Sequence, residues 1–293
     1  MPAPSTSAET IEYVQLNGTR TCVRMWTPTG NVSAAITLVH GLSEHSGRYQ
    51  PVVQQLLKAG FAVLAFDLPG HGLTEGRRGH VPAYAQLMDR VGWLVQESQT
   101  RFPQQPQVLF GHSWGGSLVL NYVLRKRPNL AALVASAPAL RLAYRPPVAK
   151  LLLGRLMYRL WPSLTMAKDV DTNLLTRSQE VRDAFKADSL NHERISSRLA
   201  IDLLDTGKWA REHAAELTTP TLILHGDADQ ITCSQASCEF AEQAGDHCQI
   251  KIFPGLYHEP HHEPEAEEVL GYLITWLQTK LPSPRATDSI ASS

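Results

Sequence analysis

The chain has 293 residues, 43% hydrophobic and 19% charged, which is enough apolar sequence to bury a large core. A formal net charge of -1 gives no field for nucleic acid to follow. The cysteines Cys22, Cys233, Cys238 and Cys248 form no C-x-x-C pair, which argues against a disulfide framework and for reduced thiols.

The opening "MPAPSTSAET" is small and polar, without the basic and apolar regions of a secretion signal. No run approaches the roughly 18 apolar residues needed to span a bilayer. Both point to a cytoplasmic protein, peripheral at a membrane at most. Without a signal, the sequons at Asn17 and Asn31 are chance matches.

"IEYVQLNG" and "TCVRMWTP" form a hairpin split by the turn-prone Asn17-Gly18. "AAITLVHG" is a buried strand stopping at Gly41. "RYQPVVQQLLKAG" has helical spacing and ends at Gly60. "FAVLAFDLPGHG" is a second buried strand, "YAQLMDRVGWLVQESQTRF" an amphipathic helix, "QVLFG" a strand, "GGSLVLNYVLRKRP" a helix and "LAALVASAP" a further strand. The alternation resumes near residue 219 with "PTLILHG", "SQASCEFAEQAG", "CQIKIFPG" and the closing helix "EAEEVLGYLITWLQTKL". Strands alternating with helices predict an α/β fold with a mainly parallel sheet covered on both faces. Residues 140–217 break the pattern; they read as helical throughout, a cap inserted over the sheet's carboxyl edge. The last stretch, 282–293, is small and polar and reads as a disordered tail.

Gly111-His112-Ser113-Trp114-Gly115 matches G-x-S-x-G between a strand and a helix, the context of a nucleophile elbow. A serine hydroxyl attacks only when a base removes its proton. Two later strands end in "DADQ" and "LYHEP", so an acid and His258 follow the serine at the same sheet edge. Asp229 is favoured over Asp227 as that acid; the other is expected to bond nearby backbone. Acyl transfer also needs N–H donors for the developing oxyanion. Trp114, after the serine, and Leu42, after His40-Gly41, are placed to offer them. His40 and His112 read as structural hydrogen-bonding residues. Cys233 lies near the acid loop and reads as an ordinary small residue rather than a nucleophile.

Taken together, "HGLSEHSGRY", "DLPGHGLTEG", "GHSWGG", "LHGDADQIT" and "FPGLYHEPHHE" resemble the monoacylglycerol lipases, in the serine hydrolase and lysophospholipase branch of the α/β-hydrolases. The resemblance spans nearly the whole chain. It implies an α/β-hydrolase fold with a mainly parallel eight-stranded sheet, residues 1–139 and 218–293 forming the core and 140–217 the helical cap. It implies Ser113 as nucleophile, Asp229 as acid, His258 as base, Leu42 and Trp114 as oxyanion donors, and no metal or cofactor. It also implies that Glu44, Arg48 and His261 hold the polar head of the substrate. Leu42-Ser43 replaces the family's usual small residues and Trp114 its common methionine, so both bear on the acyl entrance.

The expected reaction is hydrolysis of lipid carboxylic esters, foremost monoacylglycerol to glycerol and fatty acid. Alternatives are a lysophospholipase or general carboxylesterase, then a serine acyltransferase or a non-catalytic binding protein. The cap stretch "PVAKLLLGRLMYRLW", with Lys150, Arg155 and Arg159, could also touch an anionic membrane surface. His258 to His262 fits the zinc motif H-E-x-x-H, which needs both histidines on one helix face. Pro260 and the preceding strand argue against that helix. His262 and the neighbouring glutamates read instead as the solvated start of the closing helix.

Overall fold

The computed structural model describes residues 9–167 and 171–281. The expected tail, 282–293, lies outside them, as does most of the stretch read as lacking a secretion signal. Eight strands form one sheet: β1 (Glu9–Leu16), β2 (Thr19–Trp26), β3 (Ala34–Val39), β4 (Phe61–Phe66), β5 (Gln107–His112), β6 (Ala132–Ser136), β9 (Thr221–Gly226) and β10 (Cys248–Phe253). Their order is β1-β2-β4-β3-β5-β6-β9-β10. β2 runs antiparallel to β1 and β4, and the pairs from β4 to β10 are parallel. The β1–β2 hairpin turns at Asn17 and Gly18, with φ of 49° and 73°, as a two-residue turn matched to strand twist requires.

The strands read as continuous apolar runs because both faces are covered. In β4, Leu64 and Phe66 belong to one core, and Phe61, Val63 and Ala65 to the other. Helices α2 (Tyr84–Arg101), α3 (Trp114–Lys126) and α7 (Ser234–Ala244) cover the first face with Leu87, Val91, Leu118, Val119 and Phe240. Helices α1 (Gln50–Lys58) and α8 (Ala266–Lys280) cover the second with Val52, Val53, Leu56, Leu273 and Trp276.

The strand order reverses at β3, whose next strand β4 lies on one side while β5 lies on the other. The connections after β3 and β5 therefore leave in opposite directions and open a crevice at the carboxyl ends, where open α/β sheets bind ligands. The loop after Val39 and the turn at Ser113 face each other there.

Between β6 and β9 the chain forms α4 (Val148–Leu160), β7 (Thr165–Ala167), α5 (Gln179–Ala187), β8 (Arg194–Ser196) and α6 (Ser197–Glu212). This region is not helical throughout, because β7 and β8 pair antiparallel. Each has three residues, too few for a period-two signal, and the partner lies far along the chain. α4 packs on α6 through Gly154 against Ile201 and through Tyr158, whose hydroxyl donates to Asp202 Oδ1 at 2.9 Å. α4 buries no residue fully. Val148, Leu152, Leu156 and Leu160 are 50–71% exposed. Among the described residues no helix is long and apolar enough to cross a membrane.

Leu118 of α3 is fully buried in the first core. Leu118→Ala should lower unfolding free energy by about 2–5 kcal/mol, read as a fall in the urea midpoint at unchanged slope.

Candidate active site

Ser113 sits between β5 and α3 with φ 53° and ψ -117°, a conformation that side chains rarely adopt. Its N–H donates to Ser136 O at 2.9 Å, and its carbonyl accepts from Ser117 N at 3.0 Å and Ala139 N at 2.9 Å. The flanking glycines are sterically required. A Cβ on Gly115 would stand 2.3 Å from Val39 O, and one on Gly111 2.4 Å from Gly115 O. The strain lifts the hydroxyl onto the wall of a cavity of about 460 Å³.

His258, in the loop after β10, lines the same cavity. Its Nε2 lies 2.8 Å from Ser113 Oγ, and its Nδ1 lies 2.8 Å from Asp229 Oδ2. Asp229 can only accept, so Nδ1 carries the proton and Nε2 offers its lone pair to the serine hydroxyl. Asp229 Oδ1 takes Ile231 N at 2.7 Å and Thr232 N at 3.0 Å. Its Oδ2 also takes Thr232 Oγ1 at 2.6 Å and His225 Nε2 at 3.0 Å. Burial pushes the Asp229 pKa up, but His258 and the His225 hydrogen bond outweigh it and hold the carboxyl well below its usual range. Burial likewise pulls His258 down, and the Asp229 charge outweighs it, so the imidazole titrates above its ordinary value. Asp227 instead accepts Gly255 N at 2.6 Å.

His225 was not singled out in the sequence. Its Nε2–H donates to Asp229, and its Nδ1 accepts from Ser237 Oγ at 2.9 Å. Only its place four residues before the acid hints at that contact.

The turn after β3 presses on the serine: a Cβ on Gly41 would lie 3.3 Å from Ser113 Cβ. Leu42 lines the cavity beside it, and Trp114 opens α3, so both backbones flank Ser113. The Trp114 side chain is 1% exposed, packed in the core near His71 and absent from the cavity wall. Of the two bulky side chains expected at the acyl entrance, only Leu42 stands there. His40 Nδ1–H donates to Gly41 O at 2.7 Å and its Nε2 accepts Leu68 N at 2.9 Å. His112 Nδ1–H donates to Ser136 O at 3.1 Å. Cys233 is off the cavity wall, its sulfur accepting from Arg141 Nη2 at 3.3 Å.

Glu44 and Arg48 line the cavity. Glu44 Oε1 accepts Gly41 N at 2.7 Å and Tyr49 Oη at 2.7 Å, which fixes the turn. Arg48 ion-pairs with Glu44 and is bidentate to Glu259 at 2.9 Å and 2.9 Å. Burial works against both carboxylates, but Arg48 prevails: Glu44 is held down to about 2 and Glu259 well below its usual range.

His261 is not on the cavity wall. It stacks on Tyr49 at 5.3 Å and lies edge-on to His112 at 4.7 Å. Its neighbours are not solvated: Glu259, His262 and Glu263 are 2%, 8% and 3% exposed. His262 Nδ1 lies 2.9 Å from Glu259 Oε2, and Glu263 accepts Tyr257 N at 2.8 Å and Arg177 Nε at 3.0 Å. α8 begins only at Ala266, and residues 260–262 form a short 3₁₀ turn. His258 and His262 are thus not one turn apart on an α-helix, the geometry that the zinc motif needs.

Most of the rest of the cavity wall is apolar. α4 supplies Leu151, Gly154 and Met157, and α6 supplies Ala200, Leu203 and Leu204. A serine relay opening into such a slot can attack an ester whose acyl chain lies among these side chains.

Known proteins share this arrangement of chain. The Hydrolase_4 family, described as serine aminopeptidase S33, matches residues 30–265. The monoacylglycerol lipase of Mycolicibacterium smegmatis is 31% identical over 271 residues, 92% of this chain and 96% of that protein. A longer abhydrolase domain-containing protein of Dictyostelium discoideum is 32% identical over 266 residues; they make up 90% of this chain and 28% of that protein. The crystal structure of Paleococcus ferrophilus monoacylglycerol lipase superposes with a TM-score of 0.80 at 31% identity, covering 92% of this chain and 99% of that one. With its elbow, its parallel sheet and a match across most of its length, the chain belongs to the Hydrolase_4 family of α/β-hydrolases.

Proposed function

We propose that this protein hydrolyses carboxylic esters of lipids, foremost monoacylglycerols to glycerol and free fatty acid. The observation that carries the reading is the continuous Ser113–His258–Asp229 relay, with both links at 2.8 Å, opening onto an apolar cavity. In this mechanism His258 Nε2 takes the Ser113 proton as Oγ attacks the ester carbonyl. The oxyanion turns toward the N–H groups of Leu42 and Trp114, each worth about 3 kcal/mol at the transition state. His258 then protonates the leaving alcohol, and water activated by the same imidazole releases the fatty acid. Asp229 holds the tautomer and stabilises the imidazolium.

The region 140–217 acts as a cap in this reading, with α4 and α6 walling the acyl slot. A second function fits its outer surface. Leu152, Leu156, Leu160 and Trp161 are exposed beside Lys150, Arg155 and Arg159, a composition suited to an anionic lipid surface from which substrate would be drawn.

A hydrolysis panel of monoacylglycerols, lysophospholipids, triacylglycerols and p-nitrophenyl esters tests the substrate class; a monoacylglycerol rate no higher than the others sinks the preference. Ser113→Ala should cut turnover by roughly 10⁴-fold or more and abolish fluorophosphonate labelling in a folded protein. A folded variant with intact turnover would remove the serine from the mechanism. The base works as neutral imidazole, and its pKa is raised, so kcat/KM should fall as pH drops through a value above the ordinary 6.5. Asp229→Asn should lower kcat by about 10⁴-fold and move that break to lower pH. For the cap, Leu152→Ser/Leu156→Ser/Leu160→Ser should weaken flotation with anionic vesicles by about tenfold or more; unchanged flotation excludes the contact.

A further inference from the structure

Glu44, Arg48 and Glu259 meet on the cavity wall beside His258. Arg48 spends Nη1 on both carboxylates and Nη2 on Glu259 Oε2. Its guanidinium carbon stands 4.6 Å from the Phe185 ring centre, which closes one face. An arginine lining a cavity would ordinarily be an anion receptor. Here two carboxylates, 3% and 2% exposed, outnumber one guanidinium, so the cluster sums formally to -1. The carboxylates' other contacts are the Gly41 N–H and the Tyr49 hydroxyl on Glu44 and the His262 Nδ1 on Glu259. The other lysine or arginine of the cavity wall, Lys150, belongs to the exposed helix α4 rather than to this buried end.

We propose that Glu259, set against Glu44 across Arg48, makes the alcohol end of the cavity refuse anionic leaving groups, so that the enzyme takes esters of neutral polyols and rejects those whose alcohol carries a phosphate. The inference rests on the lipid-ester reading above and decides between its glyceride and phosphate-bearing substrates. The leaving oxygen departs with the proton of His258 Nε2. Glu44, Arg48 and Glu259 line the same cavity as Ser113 and His258, so a leaving alcohol released there meets the cluster. A doubly charged phosphate about 6 Å from one unit of uncompensated negative charge loses roughly 10⁴-fold in kcat/KM at an effective dielectric of about 20, and still about tenfold where water screens it fully. Glu259 touches no reacting atom; it sets specificity through charge and by occupying Arg48.

The test compares 1-octanoylglycerol with its 3-phosphate at about pH 8, where the phosphate is doubly charged, using the full chain and Glu259→Gln. The wild type should prefer the neutral ester by about tenfold or more. Glu259→Gln should narrow that ratio about tenfold, chiefly through KM of the phosphate ester. A ratio is insensitive to any loss of folded fraction. A second measurement needs no variant: glycerol should compete with the neutral ester in the wild type, and glycerol 3-phosphate at equal concentration should not. Comparable wild-type rates on the two esters, an unchanged ratio in Glu259→Gln, or equal competition by the two alcohols overturns the proposal and leaves the lipid-ester reading standing. A wild type that cleaves p-nitrophenyl butyrate but neither glycerol ester overturns that reading, and the selectivity proposal with it.

Discussion

The site depends on how closely the chain folds back on itself at Ser113. β3, β5 and the start of α3 converge so tightly that no side chain fits at Gly111 or Gly115. That contact, with the hydrogen bonds from and to the Ser113 peptide, holds the residue at φ 53°. Such a conformation costs about 1–3 kcal/mol, and the surrounding core offsets it, with Leu118, Val119 and Leu133 among the fully buried side chains. Once the elbow is formed, the parallel register does the rest. The loops after β3, β9 and β10 all emerge at the carboxyl edge, bringing Gly41, Asp229 and His258 to the serine from distant parts of the chain.

Charge then differentiates side chains of one type. His112, His258 and His261 pack against one another, with ring centres 4.7–4.9 Å apart for the two pairs that include His112. Burial lowers His112 to about 4 and holds His261 well below the ordinary histidine value. His258 is buried as well, but Asp229 lies against its Nδ1 and raises it. Of these three imidazoles, then, only His258 has its affinity for a proton raised rather than lowered. The same logic separates Asp227 from Asp229. One bonds a backbone N–H on an exposed turn, while the other is enclosed by two histidines and Thr232.

The fold was readable because its signals are local. Apolar runs, terminal glycines and helical spacing predict every strand of the large sheet and the helices on both its faces. Ser113 carries its own context, and the strand ends after residues 226 and 253 point to Asp229 and His258. The paired strands β7 and β8 were not readable, since three residues each carry no period and their pairing is non-local. The burial of Glu259 and Glu263 was missed for a related reason. A run of His and Glu looks solvated until its partners are known, and those partners, Arg48 and Arg177, lie far away in sequence. Trp114 shows the converse. Its backbone position follows from the motif, but which way the indole points is decided by the core beneath it.

The stretch "YHEPHHE" shows why residue type alone does not settle chemistry. Its histidines match a metal-binding pattern, yet three separate constraints divide them. Pro260 has no N–H and cannot occupy a helix interior, so the α-helix that would align His258 with His262 starts only at Ala266. His258 is pulled to the sheet edge by Asp229, and His262 is held on Glu259. His261 is left between Tyr49 and His112, where burial keeps it uncharged. Glu259 is the residue that the metal pattern would make a general base. A buried carboxylate needs a compensating charge, and Arg48 supplies it from the loop after β3, the same loop that carries Gly41 to the serine. The ion pair therefore ties the loop that brings Gly41 to Ser113 to the loop that carries His258. Losing either partner would leave the other as an unpaired buried charge, so the pair holds the two loops together.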